Sequence, residues 1–214
     1  MKAHEPGETA TLSAAEVEEI SRHGVARDFR ARTVLLSEGD RTDTIYIILE
    51  GRVRAYVSDS DGREAVLSVM GPGEYFGEIA LDEGPRSASV VTIEPCKLLV
   101  IPAADLADFV KRNPAFAMHF IRRLIARIRS LTENVRSLAL MDAYGRVARL
   151  LLEQSVTEGG VRYVPERLTQ SEIASRVGCS REMVSRIFKD LVQGGYITLE
   201  ADRIVVNRKP PARW

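Results

Sequence analysis

The chain has 214 residues, 45% of them apolar and 28% charged, enough to bury a real core and to divide into two modest domains. No stretch approaches the roughly 18 uncharged apolar residues of a membrane span, and Met1–Ala10 lacks the apolar run of a signal peptide, so a cytoplasmic protein with no membrane partner is expected. The formal net charge of zero conceals a polarity: residues 1–111 carry 12 Lys/Arg against 20 Asp/Glu (net −8), residues 112–139 carry 6 against 1 (+5), and residues 140–214 carry 12 against 9 (+3), which predicts that the C-terminal part meets a polyanion.

From Val34 to about Ile101, short β-rich runs alternate with turn residues, the pattern of an all-β barrel or jelly roll. The runs are Ile45–Leu49, Val53–Val57, Ala65–Met70, Ala88–Ile93 and Lys97–Ile101. Glu50-Gly51, Asp61-Gly62 and Gly71-Pro72-Gly73 lie between them, and such turns make pairing of consecutive antiparallel strands the expected topology. After Asn113-Pro114 the period changes: Ala117, Ile121, Leu124, Ile128, Leu131, Val135 and Leu138 step by alternating fours and threes. That is the seam of a two-stranded coiled coil, and it predicts a parallel homodimer through residues 117–138, with arginines 122, 123, 127, 129 and 136 keeping the flanks solvated. A long amphipathic helix packed on its own barrel is the competing reading.

Asp142 to Glu153 reads as a further helix and Thr157-Glu-Gly-Gly160 as a surface loop. Thr169-Gln-Ser-Glu172 is a capping box, and Ile173, Ala174 and Val177 give the helix it opens a buried side before Gly178 breaks it. Ser180 can cap a second helix, whose apolar positions Val184, Ile187, Phe188 and Leu191 fall at helical spacing. Two short helices about a Gly-containing turn make a helix-turn-helix, and Ile197–Leu199 with Ile204–Val206 read as a hairpin wing. The expected fold is therefore α+β: a jelly roll over residues 1–111, a dimerisation helix over 112–140 and a winged helix-turn-helix over 141–214.

The segment Tyr75-Phe-Gly-Glu-Ile-Ala-Leu-Asp-Glu-Gly-Pro-Arg-Ser-Ala-Ser-Val90 has what a cyclic phosphate and its ribose require. Gly77 lets the backbone approach closely, and a helical turn from Glu78 points N–H groups at an anion. Arg86 neutralises the phosphate, Ser87 donates to it, and Glu78 accepts from the ribose 2′-hydroxyl. This segment resembles the phosphate-binding cassette of the Crp/Fnr regulators, and the resemblance runs nearly the whole chain, through Leu67-Ser68 to the wing. It implies a cyclic nucleotide held by Leu67, Ser68, Gly77, Glu78, Ile79, Ala80, Arg86, Ser87 and Ala88, with Leu131 and Thr132 of the long helix facing the base. Leu131 departs from the family pattern because it cannot hydrogen-bond a base edge. Cyclic AMP is the first choice, and cyclic GMP, cyclic di-GMP or no ligand stay open. The loop Leu81–Pro85 is also slightly shorter than is usual in that family.

Gly178-Cys-Ser-Arg-Glu-Met-Val-Ser-Arg-Ile-Phe-Lys189 is similar to the recognition helix of the same family. Arg181, Glu182, Ser185 and Arg186 share a face near the helix start; arginine forks onto guanine and glutamate accepts from cytosine, so a G·C-containing half-site is expected, and the resemblance implies one close to TGTGA, least firmly fixed opposite Ser185. Thr169, Gln170, Ser180 and Lys189 are candidates for phosphate contacts on double-stranded DNA. RNA polymerase is a partner implied by the resemblance, with the Thr157–Gly160 loop as its candidate contact. No Ser/His/Asp or Cys/His arrangement and no Walker-type loop appears, so an enzyme is not expected. His4, His23 and His119 are scattered, and Cys96 and Cys179 lie far apart without ligand neighbours, so no metal, iron–sulfur cluster or disulfide is expected. A regulator of the same family whose barrel binds nothing is the alternative function.

Overall fold

The structure is a computed structural model, and it describes residues 11–82, 84–165 and 168–211. Met1–Ala10 with His4, and Glu83 within the cassette, lie outside the described residues. The chain divides into two compact units, Met1–Ser130 and Leu131–Trp214. Among the described residues no helix is long and apolar enough to cross a membrane.

The first unit opens with α1 (Ala14–Ser21), started by a capping box between Ser13 and Glu16. Eight strands follow: β1 (Val25–Phe29), β2 (Val34–Leu36), β3 (Thr44–Glu50), β4 (Val53–Ser58), β5 (Glu64–Met70), β6 (Tyr75–Phe76), β7 (Ser89–Thr92) and β8 (Cys96–Pro102). They form two four-stranded antiparallel sheets, ordered β1-β8-β3-β6 and β2-β7-β4-β5. The expected jelly roll is present, but the expectation of consecutive pairing fails everywhere except at β4 and β5, which flank Asp61-Gly62. After Glu50-Gly51 and again after Gly71-Pro72-Gly73 the chain crosses to the opposite sheet instead of returning beside itself. Burial explains why. Ile45 and Ile47 of β3, with Leu99 and Ile101 of β8, point into one apolar cluster, while Ile48 and Leu98 point into another. A sheet buried on both faces needs a layer on each side, and a meander of neighbouring hairpins supplies none.

One layer is the second sheet, which contributes Leu36, Val53, Ala55, Met70 and Val90. The other is helical: α2 (Ala103–Arg112) buries Leu106 and Phe109, and the start of α3 (Pro114–Leu140) buries Phe116 and Phe120. Leu124, placed in the dimer seam from its spacing, is partly buried against this cluster. The exposed apolar stripe of α3 is Met118, Ile121, Ile125, Ile128, Leu131, Val135 and Leu138. The helix thus has apolar residues packed on its own barrel and a further apolar stripe that is exposed in the single chain. Arg123 and Arg127, expected to be solvated, pair with Glu74 at 2.6 Å and Glu78 at 2.8 Å. Two carboxylates four residues apart meet two guanidinia four residues apart, one helical turn of register.

In the second unit the last turns of α3 lead to α4 (Ala143–Glu153), capped by the Asp142 carboxylate. The expected loop at Thr157–Gly160 is the tip of a hairpin between β9 (Val156–Glu158) and β10 (Val161–Val164), whose short strands the turn residues concealed. The helices α5 (Gln170–Val177) and α6 (Arg181–Gln193) and the strands β11 (Ile197–Leu199) and β12 (Ile204–Val206) sit where the sequence places them. All share one core around Val147, Leu151, Ile173, Val184, Leu191 and Ile204, and the wing extends the sheet β11-β12-β10-β9.

Candidate nucleotide pocket and nucleic-acid interface

The first candidate site is an open cavity of about 330 Å³ in the first unit. Its floor is apolar, with Leu36, Ala55, Met70, Phe76 and Val90, and its polar wall consists of Gly77, Glu78, Ile79, Arg86, Ser87, Ala88 and Arg127. Six residues expected to hold the nucleotide therefore line one space. Leu67, Ser68 and Ala80 do not line it, and Leu131 and Thr132 belong to the second unit. Ser68 stands opposite the pocket residue Ala55 in the β4–β5 register, and its hydroxyl is buried without a partner among the described residues.

Arg86 is only 3% exposed. Its backbone is pinned on both sides, donating to the Asp40 carbonyl and accepting from the Gly39 amide, each at 2.8 Å. Its guanidinium donates to the Thr42 hydroxyl from Nε at 2.8 Å and Nη2 at 2.6 Å, and to the carbonyls of Thr44 and Gly77 at 2.6 Å. Gly77 has to be glycine: its φ is +86°, and a Cβ would lie 2.8 Å from the Thr44 carbonyl oxygen. Every acceptor around Arg86 is neutral. Among the described residues no carboxylate is within ion-pair distance of it, and Glu78, on the same wall, pairs with Arg127 at 2.8 Å. Burial draws the Arg86 pKa below its ordinary value, while Tyr46, Glu78 and Asp43 act in the opposite sense. A guanidinium nevertheless keeps its proton, so the cavity wall holds a desolvated cation.

The expected helical turn at Glu78 is a 3-10 turn, Glu78–Asp82, and the Ala80 amide donates to the Gly77 carbonyl at 3.1 Å. Thr42, Thr44 and Arg127 escaped the sequence reading. Only the arginine left a signal, since Arg123 and Arg127 lie four residues apart on a flank of α3 away from its open stripe.

The second candidate site is α6. Val184, Ile187, Phe188 and Leu191 are buried, so Glu182, Ser185, Arg186 and Lys189, spaced by three, four and seven, face outward together, with Arg181 at the edge of the same face. The Glu182 carboxyl is held below its usual range by its own backbone amide, the Ser180 hydroxyl and the flanking Arg181 and Arg186. It stays an acceptor, as readout of a cytosine amine requires. The hydroxyls of Thr169 and Ser180 cap α5 and α6, accepting from the Glu172 amide at 3.2 Å and the Met183 amide at 3.2 Å, while Gln170 opens α5 beside them.

Residues 26–113 match the family model for a cyclic nucleotide-binding domain, and residues 145–210 match that for a Crp-like helix-turn-helix domain. The chain is 35% identical over 185 residues to the CRP-like cAMP-activated global transcriptional regulator of Mycobacterium tuberculosis, covering 84% of this chain and 83% of that one. This chain belongs to the Crp/Fnr family. It is a DNA-binding transcription regulator with a cyclic-nucleotide-binding domain. It is also 30% identical over 206 residues to the cAMP-activated global transcriptional regulator Vfr of Pseudomonas aeruginosa, covering 92% of this chain and 96% of that one. Among solved structures, the c-di-GMP responsive global regulator CLP of Xanthomonas campestris matches with a TM-score of 0.80 and 27% identity, over 91% of this chain and 99% of that one. A mutant of CooA from Carboxydothermus hydrogenoformans matches the fold with a TM-score of 0.80 at 18% identity, over 92% of each chain.

Proposed function

We propose that this Crp/Fnr regulator is a homodimer whose grip on a palindromic TGTGA-type site is tightened by a cyclic nucleotide, cyclic AMP before the others. The observation that carries the reading is Arg86: a buried cation whose acceptors among the described residues are neutral oxygens, set in the wall of an open cavity, suits a phosphate. Glu78 and Ser87 on the same wall suit a ribose hydroxyl and a phosphate oxygen. The family includes regulators activated by cAMP and one responsive to c-di-GMP, so the family alone does not choose. Identity favours cyclic AMP: the relatives named as cAMP-activated are 35% and 30% identical to this chain, against 27% for the c-di-GMP responsive one. In this reading residues 1–111 receive the ligand, 112–140 dimerise and 141–214 bind DNA in the cytoplasm. The Thr157–Gly160 hairpin tip, exposed and held away from α6 in sequence, is then a contact for RNA polymerase.

The test is fluorescence anisotropy on a palindromic duplex at fixed salt. Saturating cyclic AMP is expected to tighten binding at least about tenfold, roughly 1.4 kcal/mol of coupling, and DNA is expected to tighten nucleotide binding by the same factor. Identical curves with and without nucleotide leave a constitutive regulator with a ligand-free barrel. Calorimetric titration with cyclic AMP, cyclic GMP and cyclic di-GMP then ranks the effectors.

Two substitutions on α6 separate reading from gripping. Arg181→Ala is expected to cost about 1–3 kcal/mol and to relax preference at one guanine. Lys189→Ala is expected to weaken all sequences alike and to lower the salt dependence of binding by about one counterion. Competition with single-base variants of the half-site at two salt concentrations checks both.

A further inference from the structure

Arg146, in the first turn of α4, does something that neither the pocket nor the α6 face explains. Its guanidinium donates to three carbonyls: Val177 from Nε at 2.7 Å, Gly178 from Nη2 at 3.2 Å, and Met141 from Nη1 at 2.8 Å. Val177 is the last residue of α5 and Gly178 its C-cap, left-handed at φ +67°. Met141 extends the ladder of α3, its amide donating to the Ser137 carbonyl at 3.0 Å. One cation thus sits on the negative ends of two helices at once, where a fork with donors in three directions is needed and a point charge would not suffice. A second contact joins the same two places. A Cβ on Gly178 would lie 3.3 Å from Cδ2 of Leu138, in the last turn of α3, so that leucine rests against the turn of the helix-turn-helix. Ser180 then caps α6 two residues later.

We infer that Arg146 is a positioning residue: it locks the turn that aims α6 to the end of α3, and so fixes the separation at which the two recognition helices of a dimer meet their half-sites. This rests on the dimer and DNA-reading parts of the proposed function, not on its ligand. Two helices that must enter successive major grooves tolerate little slack, because half-sites lie about one helical turn apart. A turn fastened to its own helical core alone would still read a half-site. Only a turn fastened to α3 as well transmits a fixed separation.

The experiment uses the full chain and a series of duplexes whose TGTGA half-site centres are about 8 to 13 base pairs apart, with and without cyclic AMP. The unchanged protein is expected to prefer one separation by about tenfold over duplexes two base pairs longer or shorter. Arg146→Gln is expected to flatten that profile to within about threefold while still rejecting a half-site with a substituted guanine. Loss of both kinds of selectivity would show a merely structural arginine and overturn the inference, as would a flat profile for the unchanged protein. Arg146→Lys serves if the glutamine variant does not fold: a partly flattened profile supports the fork, and a fully restored one overturns it. A spacing profile that is sharp and identical with and without cyclic AMP removes the ligand-gated reading and leaves this inference standing.

Discussion

Arg86→Leu is expected to lower nucleotide affinity at least about tenfold in a calorimetric titration, since a hydrogen bond to a charged group contributes roughly 1.5–3 kcal/mol net. The side chain does two things, and the variant separates them. Toward the cavity it offers a buried cation that has no carboxylate within ion-pair distance among the described residues. Toward the fold it ties the Thr42 hydroxyl and the carbonyls of Thr44 and Gly77 together. Leucine fills much of the same volume but removes the donor to the Thr42 hydroxyl and the Thr44 carbonyl, while the Gly77 carbonyl keeps the Ala80 amide, and an unsatisfied buried acceptor costs about 1–3 kcal/mol. The thermal midpoint should therefore fall along with affinity, while the rest of the barrel core, built from β3, β8 and the second sheet, is untouched. Circular dichroism confirms that the variant is folded before the titration is read. A folded variant that binds cyclic AMP as the unchanged protein does would refute the pocket assignment.

The helix-turn-helix was legible in the sequence almost residue by residue because its signals are local. Capping boxes, a glycine at a left-handed C-cap and a three-to-four periodicity are all decided within one or two turns of chain. The barrel was legible as a set of strands but not as a set of pairs. Ile45, Ile47 and Ile48 announce a strand buried on both faces, yet nothing near them says that their neighbours are β8 and β6 and not β4. The same limit applied to the pocket. The cassette from Gly77 to Ala88 is contiguous and was found, whereas Thr42 and Thr44 reach Arg86 from more than forty residues away and were not. Arg146 was hidden for a related reason: its three acceptors are backbone carbonyls, and a carbonyl has no letter in the sequence. The seam of α3 was half legible. Its period marks apolar positions without saying which of them also touch the barrel, and Leu124, one turn before Ile128 on the same face, packs partly buried against the barrel cluster.

Ile128→Lys is the variant expected to change the molecule most. Ile121, Ile128 and Val135 repeat every seven residues along the middle of the open stripe of α3, flanked by Met118 and Ile125 on one side and by Leu131 and Leu138 on the other. Ile128 is 62% exposed in the single chain. In the proposed homodimer this stripe is the partner surface, and its heptad repeat fits a second copy of the same helix in parallel. Across a two-fold axis every residue near the seam meets its own copy, so one lysine per chain becomes a pair of like charges in an apolar layer, at a cost of several kcal/mol. Sedimentation velocity at micromolar concentration is expected to show a monomer, with the barrel intact because Phe116 and Phe120, the residues of α3 buried in the barrel cluster, are unaltered. Affinity for the palindrome should fall to that of a single half-site, since the second contact is no longer intramolecular. A variant that stays dimeric would place the interface elsewhere, and the stripe would then need another partner.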